Sequence, residues 1–132
     1  MPPTLEALAA RLQALEDREA IRELIASYGP LADTGAAEAL SQLWTEDGRY
    51  AVGGMTEAKG RAAIAALIDG AVHRGLMADG CAHTLGPVAI TLDGDTATAR
   101  GPRPYVMAQI RKGIGIDAVV QFLQTEGGLV LR

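Results

Sequence analysis

The apolar residues of this chain change their spacing once, between residues 75 and 88, and that change limits the folds open to it. Before it they recur at three and four positions, the period of a helix with one face in a core. After it they alternate, the period of a strand. One short strand-like run, Arg49 to Val52, interrupts the helical part. Helices first and strands after predict an α+β fold, with helices on one face of an antiparallel sheet. At 132 residues the chain is expected to form one domain, residues 1–132, with enough core to need no staples.

Thr4 can cap a helix that starts behind Pro2 and Pro3. Leu5, Leu8, Leu12 and Leu15 make a narrow apolar seam over residues 4–16, too short for a long coiled coil. Two readings stand for it: a helix lying on its own domain, or an N-terminal helical arm packing on another subunit. Ala20, Ile21, Leu24, Ile25 and Tyr28 continue as an amphipathic helix with Arg18, Glu19, Arg22 and Glu23 in water. Gly29 and Pro30 should end or kink it. Asp33 or Thr34 is then placed to cap a short helix carrying Ala39, Leu40, Leu43 and Trp44.

Glu46-Asp47-Gly48 reads as a turn and Gly53-Gly54 as a flexible tip. Behind Lys59-Gly60-Arg61 a third helix carries Ile64, Ala65, Leu67, Ile68 and Val72, and residues 75–81 read as loop. Val88, Ile90 and Leu92 then alternate with smaller residues, Asp93-Gly94-Asp95 turns, and Thr96 to Arg100 returns. That is the clearest hairpin in the chain. Tyr105 to Arg111, Ala118 to Thr125 and Leu129 to Leu131 follow as strands, the last two joined by Glu126-Gly127-Gly128. Pro102 and Pro104 cannot donate to a ladder, so their segment is an edge, a bulge or a loop.

Composition excludes several function classes. A net charge of −4 gives no electrostatic reason for a nucleic-acid or membrane-surface partner. No stretch approaches the 18 or so apolar residues of a membrane span. The N-terminus lacks the basic start and apolar run of a signal peptide, being interrupted by Glu6, Glu16 and Asp17. Cys81 is the only cysteine, so no internal disulfide forms, which fits a reducing compartment; a cytoplasmic location is expected. With two histidines and neither His-x-His nor Cys-x-x-Cys, no metal site is expected. No phosphate loop or serine elbow is present, so no cofactor is expected either.

The residues with chemistry are Asp33 and His83, about fifty positions apart. Histidine takes and gives protons near neutrality. A carboxylate on its far nitrogen fixes the tautomer and stabilises the imidazolium. Such a dyad suits abstraction of an acidic carbon-bound proton. Spacing alone leaves the bland readings open: Asp33 as a helix cap, His83 as a core histidine, Tyr28 and Tyr50 as packing. Cys81 reads as pocket wall or structural, without signals for a nucleophilic thiol. His73, beside Arg74 at a helix end, reads as solvated or cap-type.

The string EDREAIRELIASYGPLADTGAAEALSQLWTEDGRY resembles the opening of the SnoaL-like proteins of the nuclear transport factor 2-like (cystatin-like) superfamily. KGRAAIAALI, AHT with His83, and VAITLDGDTATARG extend the resemblance, strongly to about Gly101 and weakly after it. It implies a curved antiparallel or mixed sheet wrapped by helices into a cone with a pocket inside. Scytalone dehydratase, hexachlorocyclohexane dehydrochlorinase and bile-acid 7α-dehydratase, of the same superfamily, are similar in carrying an aspartate at the first helix break and a histidine before the hairpin. The resemblance therefore implies Asp33 as orienter, His83 as general base and Tyr28 as a hydroxyl for a substrate oxygen or leaving group. Trp44, Tyr50, Cys81 and Tyr105 are expected to line the pocket. Pro30, the Arg100 to Tyr105 segment and an end at Arg132 depart from the family pattern; an end there would be expected to remove C-terminal lid residues and loosen water exclusion.

These readings lead to a cofactor-independent lyase or isomerase acting on a small apolar molecule with a carbonyl, hydroxyl or halide. The alternatives are a non-catalytic binding or assembly domain, like the small subunits of ring-hydroxylating dioxygenases, and a polyketide-type cyclase. Val88, Ile90, Val106, Ile110, Val119 and Phe122 cannot all point into one small cone, so a homodimer is expected, with a trimer as the alternative.

Overall fold

The computed structural model describes residues 1–53, 56–83, 86–101, 107–111, 115–116, 120–125 and 128–129, with side chains at 1–51, 57–83 and 86–101. Thr4 caps the first helix, α1 (Leu5–Ala26), its Oγ1 accepting from the Ala7 N–H at 3.1 Å. The leucine seam and the following apolar series therefore share one continuous helix of 22 residues. Only its second half packs on the body, where Ile21 and Ile25 are buried. α1 stops at Ala26 for a local reason: Pro30 has no N–H to return to the Ala26 carbonyl, and its ring crowds that oxygen. The chain re-enters helix at once as α2 (Tyr28–Asp33), where Pro30 falls in the first turn and its missing N–H costs nothing.

Gly35, with φ of 67°, turns the backbone through the left-handed region. It leads to α3 (Ala37–Ser41). Neither Asp33 nor Thr34 caps α3: its N-cap is Ala36, without a side-chain bond, and the Thr34 hydroxyl turns back to the Pro30 carbonyl at 2.8 Å. β1 (Arg49–Gly53) and β2 (Thr56–Lys59) form an antiparallel pair; Gly54 of the expected glycine tip lies outside the described residues. Arg61 opens α4 (Arg61–Asp69) and donates from Nε to the Trp44 carbonyl at 2.9 Å. Gly70 is extended and breaks the helix, which resumes as α5 (Ala71–Asp79). The segment expected to be loop is thus mostly helical.

The hairpin is β3 (Ala89–Asp93) and β4 (Thr96–Arg100), in register from Ala89 with Arg100 to Asp93 with Thr96. β5 (Met107–Arg111) and β6 (Gly115–Ile116) extend it to a four-stranded antiparallel sheet. A second sheet has the order β2-β1-β7-β8, with β7 (Val120–Thr125) and β8 (Gly128–Leu129). In it β1 runs parallel to β7, so the sheet is mixed. Tyr105, Val106 and Val119 lie outside the described residues, as do the side chains of Ile110 and Phe122.

Trp44, Leu40 and Ile64 are the largest fully buried side chains. Each is worth roughly 1.5–3 kcal/mol in surface removed from water. Ala97 and Ala99 face inward from β4, and Val88, Ile90 and Leu92 pack partly buried against the same core. Val88 and Ile90 thus turn part of their surface into this domain's own core.

Candidate active site

Asp33 ends α2, and His83 lies beyond α5 just ahead of the hairpin. The fold brings them together. His83 Nδ1 lies 2.6 Å from Asp33 Oδ1. The His83 backbone N–H also donates to Asp33, at 3.0 Å to Oδ1 and 3.1 Å to Oδ2. The Cys81 thiol donates to the same Oδ1 at 3.7 Å. One carboxylate thus gathers the ring, the backbone and a thiol of the segment 81–83. The His83 side chain is 7% exposed and that of Asp33 28%.

Burial alone would push the Asp33 carboxyl up. The bonds from the His83 ring and backbone, and the charge of the ring when protonated, outweigh it and hold the carboxyl below the ordinary aspartate range. The carboxylate is therefore ionised near neutrality and can only accept. It follows that the neutral His83 carries its proton on Nδ1 and its lone pair on Nε2. The Cys81 thiol is pushed up by burial and by the neighbouring Asp33 charge, which keeps it protonated and argues against a nucleophilic role.

The sign of the Asp33 shift gives a stability prediction. A depressed carboxyl contributes stability that is fully present above the unfolded value of about 3.9. That contribution is lost as pH falls through the folded-state value. In urea unfolding from pH 7 down to pH 2, the gap between wild type and Asp33→Asn should narrow below about pH 4. A gap that stays constant to pH 2 would mean that the ionised carboxylate stabilises nothing.

Around the dyad lies an aromatic cluster. The Tyr28 ring meets the His83 ring edge-on, with centroids 5.8 Å apart. The Tyr28 and Tyr50 hydroxyls bond at 2.6 Å. Burial raises both phenols well above the ordinary tyrosine value, with the Asp33 charge adding to it at Tyr28. Both stay neutral and keep their protons. Trp44 meets both tyrosine rings nearly at right angles and donates from Nε1 to the Arg49 carbonyl at 3.0 Å. It has no exposed surface, so it backs the tyrosine pair from within the core rather than forming a pocket wall. Tyr105 is outside the described residues.

The sequence pattern leaves His73 solvated or cap-type; the fold buries it, at 8% exposure. Its Nε2–H donates to the Ala32 carbonyl at 2.7 Å, and its ring stacks on that of His83 with centroids 5.6 Å apart. It thereby pins the residue before Asp33 and one face of the His83 ring. No spacing signal marks this, because Gly70 breaks the helix ahead of His73 and the period of Ile64 and Ile68 does not carry through to it. A second feature that spacing does not reveal is Gly29. A Cβ there would run into the His83 backbone carbonyl, so glycine is what lets α2 and the His83 segment touch.

Donor atoms of Asp33, Cys81 and His83 lie within 4.8 Å of one another, the one such grouping among the described residues. The sequence does not announce it, because Cys81-x-His83 is not a standard ligand spacing. The donors are already committed otherwise: the carboxylate is bonded to Nδ1, and the thiol keeps its proton. An open surface depression lined by Gly35, Glu38, Gln42 and Asp69 includes neither Asp33 nor His83. No helix among the described residues is long and apolar enough to cross a membrane.

Comparison with known proteins agrees with this architecture. An NTF2-like protein with a cystatin-like fold from Novosphingobium aromaticivorans is 54% identical, over 99% of this chain and 87% of its own, with a TM-score of 0.74. LinA is similar in fold at 16% identity, over 82% of this chain and 86% of its own, with a TM-score of 0.66. A protein assigned as a scytalone dehydratase, also from N. aromaticivorans, shares the fold at 17% identity, over 89% of this chain and 80% of its own, with a TM-score of 0.55. The family model of the SnoaL-like domain matches residues 13–126, a span that holds α2, the dyad, the tyrosine pair and the hairpin, and the chain therefore belongs to the SnoaL-like domain family, with an α+β, cystatin-like fold.

Proposed function

We propose that this protein is a lyase or isomerase that removes a carbon-bound proton from a small apolar substrate. The observation that carries the reading is the 2.6 Å contact of His83 Nδ1 with Asp33, which leaves Nε2 as the base. Nε2 takes the proton from a carbon next to a carbonyl, or next to the carbon that bears a hydroxyl or halide. In an elimination the C–H electrons form a double bond and hydroxide or halide departs. In an isomerisation the imidazolium returns the proton to another carbon. Asp33 stabilises the imidazolium formed in either case. Tyr28, bonded to Tyr50, is the neutral donor for an oxygen that gains charge in the transition state. The step is a proton transfer and needs no redox partner. The fold similarity to LinA and to the protein assigned as a scytalone dehydratase supports the reaction class.

The test is a panel of compact ketones, β-hydroxy carbonyl compounds and alkyl halides, incubated with the protein in D2O and followed by proton NMR. The expected result is deuterium incorporation or elimination for at least one class. If no class reacts and the best-bound compound binds the wild type and His83→Gln equally, the reading fails and a non-catalytic binding domain replaces it.

A further inference from the structure

We propose that α1 pairs in parallel with α1 of a second copy of this chain through the Leu5, Leu8, Leu12 and Leu15 seam. The four leucines are 86%, 43%, 57% and 63% exposed, and almost every residue of the first 16 is exposed with them. Their own domain cannot cover them. At about 100° per residue, the centre of the seam lies roughly 170° around the helix from Ile21, Leu24 and Ile25, the side that packs on the body. A partner helix approaching the seam therefore meets no body, and each body lies on the outer flank of the pair.

The seam is complementary to itself. Leu5 and Leu12 take one heptad position, Leu8 and Leu15 the other, giving four leucine layers in a parallel two-fold pair. Ala9, on the flank of the seam, is small enough to allow close approach. The longer flanking residues differ in charge: Arg11 and Arg18 line one side, Glu16 and Glu23 the other. In a parallel pair Arg11 faces Glu16 of the second copy twice over, and Arg18 and Glu23 repeat the sense one heptad on. An antiparallel pair would set Arg11 against its own copy. The seam ends where Glu19 and Arg22 replace the leucines; identical charges would meet there, so the helices part at that level. A seam of two heptads is marginal for isolated peptides. Here α1 is already formed, capped by Thr4 and anchored by Ile21 and Ile25, so pairing does not have to order it.

Sedimentation equilibrium of the full chain is the test. The wild type is expected to be a dimer at micromolar concentration. Leu8→Glu with Leu12→Glu should weaken it by more than about a hundredfold, because two layers are lost and four carboxylates are brought together, while circular dichroism remains native. Arg11→Glu and Glu16→Arg should each weaken the dimer, and the two together should restore it. A monomeric wild type, or a leucine variant that dimerises as tightly as the wild type, overturns the pairing. A double charge reversal no tighter than the single variants overturns its parallel sense.

Discussion

Replacing His83 by glutamine is expected to lower turnover of any substrate this protein deprotonates by about 10²–10⁴-fold, the usual contribution of a positioned general base. Glutamine is polar and close in length, and its amide N–H can still donate to Asp33, so the fold and substrate binding should persist. What disappears is the Nε2 lone pair. The loss should therefore appear in kcat, with KM little changed. Asp33→Asn should act in the same direction through the tautomer. The wild-type carboxylate, ionised and receiving three donors from residues 81–83, admits only the Nδ1–H form. An asparagine presents both a donor and an acceptor and holds neither form. Nitrogen-15 NMR of the His83 ring reads this directly: one tautomer in the wild type, a mixture in Asp33→Asn. A His83→Gln protein with an undiminished rate would place the base elsewhere.

Gly29→Ala is the second large effect. The added Cβ would meet the backbone carbonyl of His83, and a backbone atom cannot swing aside as a flexible side chain does. Either α2 or the segment 81–83 has to move. Overpacking of this kind costs about 1–3 kcal/mol, and here it opposes a gain of about 1 kcal/mol from replacing a helical glycine by alanine. Gly75→Ala is the control. Gly75 lies within α5, and a Cβ added there would meet nothing within 4 Å, so that variant should be more stable than wild type by about 0.5–1 kcal/mol. Urea unfolding of both proteins separates the two effects. A Gly29→Ala protein that gains stability like Gly75→Ala would mean that α2 and His83 do not need their close approach.

The dyad shows how far local reading reaches. Asp33 and His83 stand out in the sequence as residues with chemistry, but it is the resemblance of their flanking strings that pairs them; spacing by itself favours Asp33 as a helix cap. The structure decides between these uses. Asp33 turns to the segment 81–83, and α3 starts from Ala36 without a side-chain cap. Trp44 belongs to the core rather than to a pocket wall, and His73 is buried rather than solvated. The leucine seam is visible in the sequence at once, but a linear pattern does not say which side of the helix the body occupies.

By itself the sequence determined the local elements: the N-cap at Thr4, the helix break that Pro30 imposes, the hairpin turned at Asp93-Gly94-Asp95, and the helices-then-strands order that makes the fold α+β. Each depends on backbone preferences and apolar periods within a few neighbouring residues. Tertiary structure alone decided the β1–β7 parallel pair, the carbonyl of Ala32 that buries His73, the space that only a glycine leaves at position 29, and the carboxylate that selects the His83 tautomer. These join residues some 40 to 70 positions apart in the chain. No local preference encodes such a meeting. It is set when the core closes and every buried donor and acceptor has to find a partner.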